Sequence, residues 1–577
     1  MQPTGRRYRA GRCLSLSAAI VGCAAWLPMG GAAGTPPTAE ATVAIIVQER
    51  TGAGDGPERV VARLGGRVQR QIPLIHGFSA RVPTTAVAKL RRVRGIRSVT
   101  LDQRLNVSTP IDGWEPTTDS GSTQNLVRLT GASTFWKHGY TGRDIDVAVI
   151  DSGVTPVEGL SRSGKLVYGP DLSFDSQQDE RRHLDGYGHG THLAGIIAGR
   201  DDVSGDRGSE MGHRAGFTGF APDARIVSVK VADRTGAADV SQVIAGIDWV
   251  IQHRDTDGLN IRVLNLAFGT DGVQDYRIDP LAYAVEAAWR KGIVVVVSGG
   301  NAGFGSGRLN NPAYDPFVLA VGAQDPKGTS STRDDEVPSW SSTGDGQRNP
   351  DLVAPGKSLV SLRVGGSHID QEHLGGRVGQ SRFFRGSGTS QAAAVVSGAA
   401  ALLLDRQPWL TNDQVKAILT RSAVDLPNVS EAAQGAGALD LRHAYRMRTP
   451  RAARVAQTWE QSTGIGSLDA ARGSHRLVRD GVVLDGERDI FGSPWDGVSW
   501  SSDLWSGRSW SGGDWNGVSW SGVSWSGVSW SGVSWSGVSW SGVSWSGVSW
   551  SGVSWSGVSW SGMSWSGRSW SNAEWGL

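Results

Sequence analysis

Three polar residues in this chain stand where apolar structure stops, and their types are those of nucleophilic catalysis. Asp151 closes the apolar run in "VAVIDSGV", His189 sits in the glycine-framed turn of "DGYGHGTHLAG", and Ser390 follows a Gly-Thr turn in "GSGTSQAAAVVSGAAALLL". A serine hydroxyl is a weak nucleophile until a base takes its proton. Histidine titrates near neutrality, so it can take that proton and return it to a leaving group. A carboxylate behind the imidazole fixes its tautomer and stabilises the cation that forms. Each residue alone also has an ordinary structural reading. Serine is a common helix N-cap, aspartate a common turn former, and a lone histidine is most often packed. The catalytic reading needs a fold that brings the three together.

The elements that would do so lie between residues 124 and 446. Apolar strands are expected in "IDVAVID" (145–151), "ARIVSVKV" (224–231), "IRVLNLAFG" (261–269) and "GIVVVVSGG" (292–300). Helical stretches lie between them, such as "DVSQVIAGIDWVIQHR" (239–254) and "PLAYAVEAAWRKG" (280–292). This alternation predicts an α/β fold, a parallel sheet flanked by helices on both faces. Sites in such sheets gather at the carboxyl ends of the strands. The run after Ser390 is apolar nearly all round, as suits a buried central helix.

In the order Asp, His, Ser, these motifs closely resemble the subtilisin-like serine proteases. "VAVIDSGV", "GHGTHLAG" and "GTSQAAAVVSG" match the family's three catalytic motifs, and "VVVVSGGNAG" (294–303) resembles its oxyanion segment. "GFAPDARIVSVKV", "VLNLAFG" and "DLVAPG" extend the likeness over roughly 124–446. Agreement of four ordered motifs is far more specific than any one of them. The resemblance implies a serine endopeptidase acting on proteins or peptides, with Asp151, His189 and Ser390 as the triad. Asn301 would donate its amide to the oxyanion beside the Ser390 backbone N–H. Substrate would add as a strand between Gly236-Ala237-Ala238 and Leu266-Ala267-Phe268-Gly269.

The chain departs from the family at named places. Ala267 stands where serine is usual, and Ala237 and Ala238 replace glycines. Ala394 and Val395 stand where proline and histidine are usual. Alanine is a good helix former, so these last two predict altered local packing rather than a dead enzyme. His192 reads as a packed structural histidine, and Asp171 and Asp185 as turn or loop carboxylates. Asp334, Asp335 and Glu336 form an acidic cluster that a structural calcium can use, as family members often do, though a solvated loop is the simpler reading. No cofactor is required for the catalysis inferred.

The remaining regions carry their own expectations. Residues 1–34 have a basic head, an apolar middle and a small-residue exit, the layout of a secretory signal. The Arg6-Arg7 pair and "IVGC" ending at Cys23 leave open whether the signal is of the general, twin-arginine or lipoprotein type. Removal near Ala33 would also remove both cysteines, Cys13 and Cys23. Residues 41–105 read strand–helix–strand–strand–helix–strand, a small ferredoxin-like α+β unit with Phe78, Ala80 and Val82 on one face. "LIHGFSARVP" and "GIRSVTLD" resemble the inhibitor-like propeptide of many subtilisin-like proteases. That implies a folding aid and transient inhibitor, cut away somewhere in 102–124.

Residues 447–494 show no sustained pattern and read as a linker, with a short hairpin in "RLVRDGVVLDGERDI". Residues 495–577 are a low-complexity array, with Trp at every fifth position from Trp495 to Trp575 and mostly "SGVSW" units. Five residues turn a helix by about 140° beyond a full circle and alternate the faces of a strand, so the array suits neither. A solenoid-like stack and a tail displaying aromatic rings both remain, and a cell-wall or surface polymer is a partner for either. A formal charge of only +2 gives no field for nucleic acid or anionic membranes. The leading expectation is a secreted zymogen of a serine endopeptidase, extracellular or at the cell surface. The alternative is a catalytically impaired surface or cell-wall binding protein on a protease scaffold, and the full set of Asp151, His189, Ser390 and Asn301 argues against it.

Overall fold

The structure, a computed structural model, describes residues 42–102 except 51, residues 115–506 except 179, 202–215, 330, 380–381, 480 and 491, and several two-residue strands between 514 and 575. The expected signal region, residues 103–114 of the stretch expected to hold the propeptide cut, and most of the array lie outside the described residues. The chain divides into two units, residues 1–106 and 107–577.

In the first unit β1 (Thr42–Glu49), α1 (Gly56–Arg63), β2 (Arg67–Ile72), β3 (Gly77–Pro83), α2 (Ala86–Leu90) and β4 (Ile96–Leu101) follow one another. Their sheet is antiparallel with order β2-β3-β1-β4, the split arrangement expected of this element order. Alternation along β3 sends Phe78, Ala80 and Val82 into a core with Ile45, Val47, Val61 and Leu90. The second helix is short, five residues. Ala86 and Leu90 are its buried pair, whereas Arg91 and Arg92 are exposed and the chain turns at once into β4.

The second unit is built on a seven-stranded sheet. Its strands are β5 (Asp146–Asp151), β6 (Leu166–Asp171), β7 (Arg225–Lys230), β8 (Ile261–Leu266), β9 (Val294–Ser298), β10 (Leu319–Gln324) and β11 (Leu352–Pro355). The order is β11-β10-β9-β8-β5-β7-β6, and every pairing is parallel. These strands are buried almost throughout, which is why they read as continuous apolar runs. Helices of ten or more residues that flank or cross this sheet include α3 (His189–Ala198), α4 (Val240–Gln252), α5 (Pro280–Arg290), α6 (Thr389–Arg406) and α7 (Asn412–Ser422). Asp239 and Gln242 form a capping box at the start of α4, and Asp279 caps α5. The α6 helix is buried from Thr389 to Leu404 and packs against β8, β9, β10 and β11. Ala394 and Val395 are both fully enclosed in it.

The segment 447–494, expected to link, instead folds onto this unit. It carries α8 (Leu468–Arg472) and a hairpin of β12 (Leu477–Arg479) and β13 (Val482–Leu484), in the register Leu477↔Leu484. Leu468, Ala471, Leu484, Ile490 and Trp500 join the main core. Single buried side chains hold this strap, not an amphipathic stripe, so no period marked it. The array begins in helix α9 (Gly497–Ser506). Its Trp500 ring stands edge-on to Tyr283 of α5 at 5.6 Å.

Candidate active site

Asp151 is the last residue of β5, the strand at which the sheet order reverses. The β7 and β6 strands extend to one side of it and β8 to β11 to the other. That reversal opens a crevice at the carboxyl ends of the strands. His189 opens α3, and its Nδ1 lies 2.8 Å from Asp151 Oδ1 and 2.9 Å from Oδ2. Both side chains are fully buried. With the carboxylate ionised, Nδ1 carries the hydrogen and Nε2 the lone pair. The close approach of helix to strand end requires glycine at 190. A Cβ there would stand 2.2 Å from the Gly153 carbonyl oxygen and 3.1 Å from Asp151 Oδ1.

A second layer holds the pair. The Ser152 N–H donates to Asp151 Oδ1 at 2.8 Å. The Ser152 hydroxyl lies between two carboxylates, 3.1 Å from Asp151 Oδ1 and 2.8 Å from Asp185 Oδ1, and accepts the Gly190 N–H at 3.1 Å. Asp185 also accepts N–H groups from Gly188 at 2.6 Å and Thr191 at 2.7 Å. It is a loop carboxylate, as its sequence setting suggested, yet it organises the first turn of the His189 helix. Burial raises its pKa, against the hydrogen bonds from Thr191 and Gly188. Asp171 does plainer turn work, accepting from Ser173 and from the His183 N–H at 2.8 Å. His192 is fully buried, bonds the Phe384 carbonyl through Nε2 at 3.0 Å, and is driven down to about 3 by burial. It is therefore a neutral packed histidine.

Ser390 is the second residue of α6, and α6 packs along α3. His189 and Ser390 thus lie in the first turns of two helices packed together. The Ser390 N–H is among the four that a helix cannot use internally. Asn301 follows β9 by three residues, and its Oδ1 accepts both the N–H of Thr389 at 2.9 Å and its hydroxyl at 3.0 Å. The Thr389 hydroxyl in turn accepts the Gly300 N–H at 3.2 Å. With Oδ1 so occupied, the Asn301 amide is fixed with its NH₂ turned away from Thr389. Gln391, on the other side of Ser390, is fully buried, and neither atom of its amide has a hydrogen-bond partner among the described residues.

The two stretches expected to flank a substrate differ in support. Leu266 ends β8, and Ala267, Phe268 and Gly269 continue beyond it, all buried. Gly236, Ala237 and Ala238 run into the Asp239 cap of α4, with the backbone of Asp239 extended. Gly236 has φ +82°, and a Cβ there would stand 2.8 Å from Tyr187 Cζ, so only glycine fits. Neither 236–238 nor 267–269 lies in a strand ladder among the described residues.

The acidic cluster does not converge on a cation. Asp334 accepts from the Thr329 hydroxyl, Glu336 pairs with Lys327 at 2.7 Å, and Asp335 takes the Gln324 amide. Among the described residues no group of three His, Cys, Asp or Glu is placed to hold a metal ion. Sequence reasoning passed over Ser152, Thr389, Gln391 and the strap. The first three are neighbours of the named residues, but nothing in their types signals the bonds they make.

The subtilase-family model matches residues 142–437. Serine protease AprX of Bacillus subtilis (strain 168) is 37% identical over 306 residues, 52% of this chain and 66% of that protein. The minor extracellular protease Epr of the same organism is 33% identical over 291 residues, 50% of this chain and 37% of its own length. Subtilisin E, also from that strain, is 30% identical over 372 residues, 64% of this chain and 81% of subtilisin E. The chain belongs to the subtilase family. It spans just under two thirds of AprX and little over a third of Epr.

Proposed function

We propose that this chain is a serine endopeptidase made as a zymogen, with Ser390 as nucleophile, His189 as general base and acid, and Asp151 as its orienting carboxylate. The observation that carries the reading is the buried 2.8 Å contact of His189 Nδ1 with Asp151 at the reversal point of the sheet. Ser390 Oγ adds to the scissile carbonyl carbon while its proton passes to His189 Nε2. The oxyanion forms between the Ser390 N–H and the Asn301 amide, which Thr389 has already oriented. The proton then goes from Nε2 to the leaving amine as the C–N bond breaks, leaving an acyl ester on Ser390. Water repeats the sequence and frees the acid. A preorganised amide needs no reorientation when charge develops, which is the source of its effect.

Protein and peptide substrates enter as an added strand along 236–238 and 266–269, the expectation carried from the family. The small α+β unit, residues 42–102, serves as folding aid and transient inhibitor and is removed within 102–124. The chain is exported by its N-terminal signal, and the tryptophan array past Ser506 is a surface or cell-wall attachment. Expression of residues 35–577 beside its Ser390→Ala form tests the core of this. The active form should shed its N-terminal unit on a gel, hydrolyse unfolded casein and take up a fluorophosphonate. If both forms stay full length, inert and unlabelled, the peptidase reading fails. Deleting 507–577 keeps Trp495 and Trp500 in place and tests attachment alone, and an unchanged distribution between wall and medium sinks that role.

A further inference from the structure

The short helix α8 holds the residues that directly follow both stretches assigned to the substrate cleft, through two consecutive residues. The Ala471 carbonyl accepts the Thr270 hydroxyl at 2.6 Å, and Thr270 is the residue directly after Leu266–Gly269. Arg472 grips Asp239, the residue directly after Gly236–Ala238. Its Nε lies 2.6 Å from Oδ2 and its Nη2 3.2 Å from Oδ1. Both members of this ion pair are 1% exposed. Two more donors of the guanidinium are taken by the strap itself, with Nη1 on the Gly486 carbonyl at 2.7 Å and Nη2 on the Arg488 carbonyl. Further bonds seat α8 closely. The Ser474 N–H donates to Asp271 at 2.6 Å, and a Cβ at Gly272 would stand 2.7 Å from the Ala471 carbonyl oxygen. The Ile490 N–H reaches the Ser241 hydroxyl at 2.9 Å in the first turn of α4.

Two loop ends that are 31 positions apart in sequence are thus fixed to two consecutive residues, one through its carbonyl and the other through its guanidinium. The guanidinium is planar and uses its donors in a fixed fork, so it sets a direction as well as a charge. We propose that the strap is a positioning element of the substrate cleft, with Arg472 setting the spacing between 236–239 and 266–270. Arg472 touches no reacting atom. It acts through Asp239 on residues that would bind the extended substrate on either side, so it governs recognition of a peptide rather than the bond-making step. This rests on the peptidase reading above. It goes beyond it in assigning a specificity role to a segment outside the family-matched residues 142–437.

The experiment uses the full chain with Arg472→Gln, Arg472→Lys and Thr270→Val. Each is assayed with a tetrapeptide amide, which needs both edges, and with a single-residue ester, and each is timed for fluorophosphonate labelling. Arg472→Gln should raise KM for the tetrapeptide about tenfold, while kcat, ester hydrolysis and labelling stay within about twofold. Arg472→Lys keeps the charge without the fork and should recover part of the KM. Thr270→Val removes one hydroxyl and should raise the same KM by about threefold. It supplies the test if Arg472→Gln does not fold. Thermal midpoints are taken on all three. Lower midpoints with an unchanged tetrapeptide KM, or equal losses of kcat and labelling, overturn the proposal. A wild-type chain that neither labels nor hydrolyses either substrate overturns the peptidase reading itself, a result distinct from those.

Discussion

Thr389 holds Asn301 by a single oxygen, giving Oδ1 both its N–H at 2.9 Å and its hydroxyl at 3.0 Å. The residue before the candidate nucleophile thereby decides which way the candidate oxyanion donor faces. Removing the donor by Asn301→Ala should lower kcat by about 10²–10³ with KM little changed, the magnitude of one such donor, which was itself established on a subtilisin. Thr389→Val keeps the backbone bond and loses the hydroxyl, so one of the two bonds that hold Oδ1 is gone and the amide is less firmly oriented. Its kcat should fall by roughly tenfold, again with KM held. If Thr389→Val raises KM and spares kcat, Thr389 orients something other than this amide.

Asp185 accepts from Ser152, Gly188 and Thr191 in one buried place. Asp185→Ala strands two N–H donors and frees the start of the His189 helix. Each stranded donor should destabilise the fold by about 1–3 kcal/mol. Urea unfolding in a Ser390→Ala background, where self-digestion is absent, measures it. A midpoint equal to that of the parent would show that these bonds contribute nothing net.

Gln391 offers the opposite case. Its amide is fully enclosed and unpartnered among the described residues, and an apolar side chain of similar length removes the unmet polar atoms. Gln391→Met should stabilise the Ser390→Ala protein by about 1–3 kcal/mol. A loss of stability would mean that the amide has a partner such as ordered water that matters to the fold.

Asp233 makes the stability of the second unit depend on pH. Burial, joined by the like charge of Asp175, pushes its pKa from 3.8 up to about 6, against hydrogen bonds from Thr235 and Ala237. Between about pH 4 and pH 6 the folded chain keeps a proton that the unfolded chain has released. Stability therefore falls as pH rises through this window and levels off above it, by at most about 3 kcal/mol for a two-unit shift. Asp233→Asn should remove that slope in urea titrations between pH 4 and pH 7. Identical slopes in parent and variant would remove Asp233 from the account.

The fold and the candidate site were unequally legible in the sequence. Continuous apolar runs ending in Asp151, Lys230 and Ser298 announced strands buried on both faces, because a parallel sheet covered by helices leaves no polar alternation. The order of Asp151, His189 and Ser390 carried the site, since each stood at a strand end or helix start. The support behind them was not readable. Ser152 and Asp185 are ordinary turn residues until folding places 2.8 Å between them. The strap was read as a linker because pattern reasoning looks for periodic stripes. Arg472 is the first of three arginines in "AARGSHRLVR", with nothing to set it apart, and only its fold partner 233 positions away makes it a buried one.

The strap also bears on how such an enzyme survives its own activity. Between Arg451 and Gln461 the chain is largely exposed, whereas from Ser462 onward it is pinned by the Glu286 carboxylate at 2.9 Å, by Arg472 and by Trp500. A nick in the exposed stretch would separate the covalent chain without unseating the strap. The expected product is a two-chain enzyme, split on a denaturing gel, whose halves stay together in solution and keep the cleft in shape.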